Sequence, residues 1–326
     1  MNSLKKLTGY LLAVAFLAIP VVAFAQRQEL TDWWRLRGYS APPAVVLLAD
    51  QTTMTDYSRH MFYVNHPKVE ALTASFRADC STSEQTIVLG CYHGNQQGIF
   101  IYDVTDERLA GVEQVTAAHE MLHAAYDRLS DKEKQRVDGM LENFYSTELS
   151  DERIKKTIDS YKKTEPTQLV NEMHSIFGTE VMVLPAELAS YYQQYFSNRN
   201  KVVEYAQGYQ NEFTKRQNQI NSYDTQLKEL KSRIEKSETS ISLQLVDLQA
   251  AKVKLDSLRS SGQIDEYNAA VPGFNFKVTS YNSGVTKLRS DITTYNNLIE
   301  TRNALASEIR ELDQALDTRL TKQVAQ

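Results

Sequence analysis

His119-Glu120-Met121-Leu122-His123 sets two imidazoles and a carboxylate inside residues 116–129, a run of helical composition. At ~3.6 residues per turn, positions four apart share a face, so both imidazoles reach one tetrahedral ion while Glu120 stands beside it. Zinc in that place lowers the pKa of a water from about 15.7 to about 7, and Glu120 is positioned to accept the proton. That is chemistry for hydrolysing peptide bonds. Ala117, Ala118, Ala124 and Ala125 flank the histidines with small side chains. They predict a helix packed closely on both sides, its polar face turned into a cleft.

A third ligand must come from elsewhere. In residues 167–177, Leu169, Glu172, Met173, Ile176 and Phe177 share one helical face, which makes Glu172 a carboxylate on an apolar stripe. A buried carboxylate without a partner is costly, and a metal ion is one way to pair it. His174 is the rival ligand, but it lies about 200° round an ideal helix from Glu172, so the two cannot easily face one ion. With Glu172 bound, His174 is a surface or core-edge histidine, or a donor to the transition state. Asp127 either orients a histidine, as carboxylates behind metal ligands do, or is a solvated helix charge. Glu180 and Glu187 are further candidate ligands. Tyr191, Tyr192 and Tyr195 are candidate oxyanion donors, against a default of ordinary packing.

The elements that carry these residues follow from local signals. Trp33 and Trp34, within residues 29–39, are expected to cover the core, with a membrane-proximal belt as the alternative. Residues 44–48 are apolar throughout, as a buried strand would be. Residues 56–64 form a short helix, and Pro67 opens another that runs to about Arg77. Residues 86–89 and 99–104 form a hairpin across Gly90 and the turn-rich 93–98. Its edge offers main-chain hydrogen bonds to an extended substrate, and a Cys80–Cys91 disulfide staples it. Three helices follow, starting at the capping box Ser130 to Glu133, after Ser150, and at Pro166.

Here the residues carry a family likeness. His119-Glu120-x-x-His123, followed by Asn171-Glu172 on a later helix, resembles the gluzincin metallopeptidases, the thermolysin-like group. The resemblance covers about residues 85–195. It implies zinc bound by His119, His123 and Glu172, with Glu120 as general base. Forty-eight residues separate His123 from Glu172, and Ile176 stands where the resemblance expects an acidic residue. The metzincin pattern fails, because Tyr126 and Leu129 replace its glycine and third histidine.

From about Pro185 apolar residues recur at steps of three and four within a Gln-, Ser- and Lys-rich background. Two such seams, separated by Ser260-Ser261-Gly262 and Val271-Pro272-Gly273-Phe274, predict a long antiparallel coiled-coil hairpin. The expected fold is α+β: a signal in 1–25, a zincin-like domain in 26–195 and a helical hairpin in 196–326.

The 326 residues, 42% of them apolar, suffice for two domains with a core. Residues 1–25 carry Lys5 and Lys6, an apolar run over 10–24 and the Ala23-Phe24-Ala25 sequence of a secretory cleavage site. An uncleaved anchor is the competing reading, although the run is short for ~30 Å of hydrocarbon and Pro20 interrupts it. Either way the protein is expected outside the cytoplasm, secreted or in the envelope, with membrane attachment only if the segment stays. Removing two lysines takes the formal charge from −5 to −7, which offers no electrostatic case for nucleic acid or anionic lipid as a partner. The leading expectation is an exported zinc endopeptidase acting on peptide or protein substrates. The second is an envelope scaffold that binds a protein partner through its coiled coil, with a structural or inert metal site.

Overall fold

The computed structural model describes residues 26–80 and 88–319. The expected signal in 1–25, Thr86 and Ile87 of the expected hairpin, and Leu320 of the second seam lie outside them. The described chain divides into two compact units, one of residues up to Gln210 with those from Gln314, the other Asn211–Asp313.

The first unit is α+β and mostly helical. It begins with α1 (Arg27–Leu36), α2 (Pro43–Gln51), α3 (Asp56–Val64), β1 (Lys68–Glu70) and α4 (Thr73–Asp79), then β2 (Gly90–His93) and β3 (Gly98–Tyr102). After a short 3-10 turn come α5 (Val112–Asp127), α6 (Asp131–Thr147), α7 (Glu152–Thr164), α8 (Leu169–Glu180) and α9 (Ala186–Tyr192). The sheet has the order β1-β3-β2, with β1 parallel and β2 antiparallel to β3. A Cys80–Cys91 disulfide ties the end of α4 to β2. Among the described residues no helix is long and apolar enough to cross a membrane.

Helix α5 runs through the middle of the core. It starts at Gly111, whose φ of 105° is a left-handed conformation that a side chain would oppose, and where an added Cβ would lie 3.0 Å from Tyr205. Ala117, Ala118, Ala124 and Ala125 are all buried, so α5 is closely packed on both flanks. Against α8 the close approach depends on Gly178, where a Cβ would sit 2.4 Å from a methyl of Leu122. Ser130 and Glu133 form the reciprocal capping box that starts α6, and Asp151 rather than Ser150 caps α7.

Several local expectations are corrected. Residues 44–48 are helical, within α2: an apolar run this short does not distinguish a buried strand from a buried helix, and Pro43 occupies the first helical position. The helix expected from Pro67 is divided between β1, which pairs with β3, and α4. The hairpin strands are Gly90–His93 and Gly98–Tyr102, displaced toward the turn. Pro166 lies in a turn, and α8 begins at Leu169. Trp33 and Trp34 do not cover the core; they are 62% and 70% exposed.

The second unit is formed by the part from Asn211 of α10 (Arg199–Ser260) and the part up to Asp313 of α11 (Ile264–Leu316), helices of 62 and 53 residues. The chain reverses at Gly262, φ 75°, with the Gln263 amide donating to Leu258 O. Ion pairs Arg216–Glu308, Asp224–Arg302, Arg233–Asp291 and Asp247–Lys277 cross between the helices and converge on that turn, so the pair is antiparallel. The second expected break is absent: α11 continues through Pro272, which stands inside the helix. A proline there forfeits one backbone hydrogen bond and does not by itself end a helix paired along its length.

Candidate metal centre

His119, Glu120 and His123 project from α5, and Glu172 from the first turn of α8. Glu172 Oε2 lies 3.5 Å from His119 Nε2, and Glu172 Oε1 lies 3.3 Å from His123 Nε2. One ligand atom from each of the three residues falls within 4.8 Å of the others, a group that could hold a metal ion. The imidazoles meet edge to face, with centroids 4.7 Å apart.

The hydrogen bonds around His123 decide how this group can be charged. Asn171 Nδ2 donates to Gln168 Oε1 at 3.3 Å, which turns Asn171 Oδ1 toward His123. Oδ1 can only accept, so the 2.9 Å contact is a donation from His123 Nδ1. In the neutral ring Nε2 is then a lone pair facing the carboxylate of Glu172. Two acceptors face one another there, and a cation between them, an added proton or a metal, makes the contact attractive. Burial pushes the Glu172 carboxyl up, but His123, His119 and a hydrogen bond from Tyr161 outweigh it and hold the group below its ordinary range.

The donor set fits a tetrahedral metal ion. Ligands at 2.0–2.2 Å around a tetrahedral ion lie roughly 3.3–3.5 Å from one another, the separation of Glu172 from both imidazoles. Glu172 Oε2 is moreover a buried oxygen with no hydrogen-bond partner, and such an atom needs compensation.

A cleft of about 430 Å³ opens onto the group. One wall is α5, another is β2 from Gly90 to Tyr92, and Tyr161 and Asn171 stand opposite. Because β2 is the sheet edge and Leu89 O accepts from the Tyr102 amide, alternation turns the main-chain groups of Gly90 and Tyr92 away from β3. Gly90 is required for the fit: a Cβ would lie 2.4 Å from Thr116 Cγ2 and 2.9 Å from Glu120 Oε1. The buried Glu120 carboxylate therefore lies directly against the edge strand.

None of the remaining candidates belongs to the ligand group, although Asp127 and Glu180 line the cleft. His174 is fully buried, neither at the surface nor at the core edge. Its Nε2 is 2.9 Å from Tyr191 Oη, and burial, reinforced by the charges of His123 and His119, pushes it down to about 3. It is a neutral core histidine packed between Tyr126 of α5 and the tyrosines of α9. Tyr191, Tyr192 and Tyr195 pack round its ring, with Tyr192 donating to His174 O, and are not among the residues of the cleft. Asp127 borders the cleft beside Tyr92, but Asn171 is the residue that orients His123. Glu180 is engaged by Arg153 and Gln210, and Glu187 is exposed on α9. Reading the sequence gave Asn171 no role; its place immediately before Glu172, at the start of a helix facing α5, was the available signal. The chain matches no protein-family model, no curated protein and no solved structure.

Proposed function

We infer that the first unit is a zinc-dependent endopeptidase of gluzincin type, acting outside the cytoplasm. The observation that carries the reading is the convergence of one ligand atom each from His119, His123 and Glu172 to within 4.8 Å of one another beside a cleft walled by a sheet edge. Zinc held by these three residues supplies Lewis acidity and brings the pKa of a water close to neutrality. Glu120, next to the histidines but outside the ligand group, accepts the proton of the attacking water and returns it to the leaving amine. The outward main-chain groups of Gly90 and Tyr92 bind an extended peptide by strand addition, which presents its carbonyl to the site. Asn171 holds the ring of His123, and Tyr161 holds the carboxylate of Glu172.

An open cleft beside the ligands favours catalysis over a structural role, because a structural zinc is enclosed by a fourth protein ligand. The test is Glu120→Gln. This variant keeps stoichiometric zinc and loses chelator-sensitive cleavage of casein or a peptide library by about 10²- to 10⁴-fold, the usual contribution of a general base. Full cleavage by Glu120→Gln, or wild-type protein purified without zinc and unable to take it up, overturns the assignment.

A further inference from the structure

Helix α1 is attached to the protein by its polar side. Asp32, 4% exposed, receives both terminal nitrogens of Arg128, at 2.8 and 2.9 Å, together with His60, Gln28 and Gln96. Arg35 Nε donates to Val64 O at 2.7 Å, and His66 Nε2 contacts Arg35 O at 2.9 Å. The apolar side points outward. Leu30, Trp33 and Trp34 are 50%, 62% and 70% exposed, and with Arg37 they occupy about 100° of the helix circumference. This inverts the usual arrangement, in which an amphipathic helix buries its apolar stripe.

We propose that the Leu30, Trp33, Trp34 and Arg37 face of α1 docks on a phospholipid bilayer surface and holds the unit containing the metal centre against the membrane. The apolar run of residues 10–24 ends three positions before Arg27, so any bilayer that takes up that run lies within about 10 Å of the helix by chain reach. The chemistry of the face is interfacial. Indole rings settle at the headgroup level and a leucine side chain enters the acyl boundary. Arg37 supplies a guanidinium group for lipid phosphate. The Arg37 guanidinium already sits 5.3 Å from the centre of the Trp33 ring, so cation and indole form one contact surface.

The two residues are the chain's only tryptophans, so tryptophan emission, excited selectively over the tyrosines, reports on this face alone. The full chain is mixed with vesicles of phosphatidylcholine and phosphatidylglycerol. Tryptophan emission shifts to shorter wavelength, acrylamide quenching falls, and brominated phospholipid quenches the emission. Leu30→Glu, which places a charge between the two indoles at an exposed position, loses the lipid-dependent shift with an unchanged far-UV circular dichroism spectrum. Three results overturn the proposal. In the first, emission stays that of water-exposed indole while the protein is vesicle-bound. In the second, Leu30→Glu keeps the full shift. In the third, the emission is short-wavelength without lipid and depends on protein concentration, which assigns the face to a second copy of the chain.

Discussion

Asn171→Ala separates the residue that orients a metal ligand from the ligands themselves. In the wild type Asn171 Oδ1 accepts from His123 Nδ1 at 2.9 Å, and its own amide is held by Gln168. His123 is 8% exposed, so deleting the acceptor leaves a buried ring N–H without a partner. Such a loss costs about 1–3 kcal/mol, equivalent to roughly 5- to 150-fold in an equilibrium constant. Removing partners of this kind from metal-bound histidines typically weakens binding about 10- to 100-fold. Competition for zinc against a chromophoric chelator measures the change directly, independently of any substrate. Asn171→Asp keeps the acceptor and adds charge, so its affinity equals or exceeds that of the wild type. Asn171→Ala protein with wild-type zinc affinity refutes the reasoning, because the Nδ1 contact would then have no bearing on how His123 presents Nε2.

Three further outcomes are expected. Gly90→Ala forces Thr116 and Glu120 away from β2, so on the proposed function peptide cleavage falls while zinc content, which the proposed ligands His119, His123 and Glu172 would set, is retained in metal analysis. Glu113 is raised from 4.5 to about 7 by burial and by its neighbour Asp103, against the amide of Val104 that it accepts from. The folded state therefore binds more protons than the unfolded chain between those values, and stability falls as pH rises through this window. The loss is roughly 1–2 kcal/mol once the solvent reaching this half-buried group is allowed for, and Glu113→Gln flattens the profile in urea unfolding. Arg128→Met leaves the buried Asp32 carboxylate without its cation and costs about 3 kcal/mol, read as a lowered urea midpoint.

The elements most legible in the sequence are those whose signals are local. The Ser130–Glu133 capping box is a matter of four residues, and the short helix read at Asp56–Val64 is the one found. The approach of Glu172 to the histidines was legible for a different reason: a carboxylate on an apolar helical stripe requires a partner, and the paired imidazoles were the available one. What escaped reading depends on distant packing. Whether residues 44–48 were strand or helix turned on what covered them. Choosing Asn171 over Asp127 as the partner of His123 required knowing how α8 crosses α5. The exposure of Trp33 and Trp34 follows from Asp32 meeting Arg128, 96 residues away, which no periodicity announces. Pro272 was read as a break because its local cost is real, yet α11 runs through it.

The cross-helix ion pairs give the long hairpin a property of its own. Residue 216 meets 308, 224 meets 302, 233 meets 291 and 247 meets 277, so from the first pair to the last the two arms each cover 31 residues. Excising a seven-residue block from one arm together with its counterpart from the other leaves the outer contacts in phase, and shortens the hairpin by about 10 Å. Length is thus an adjustable dimension of this unit, tunable in increments without redesigning its tip or its base.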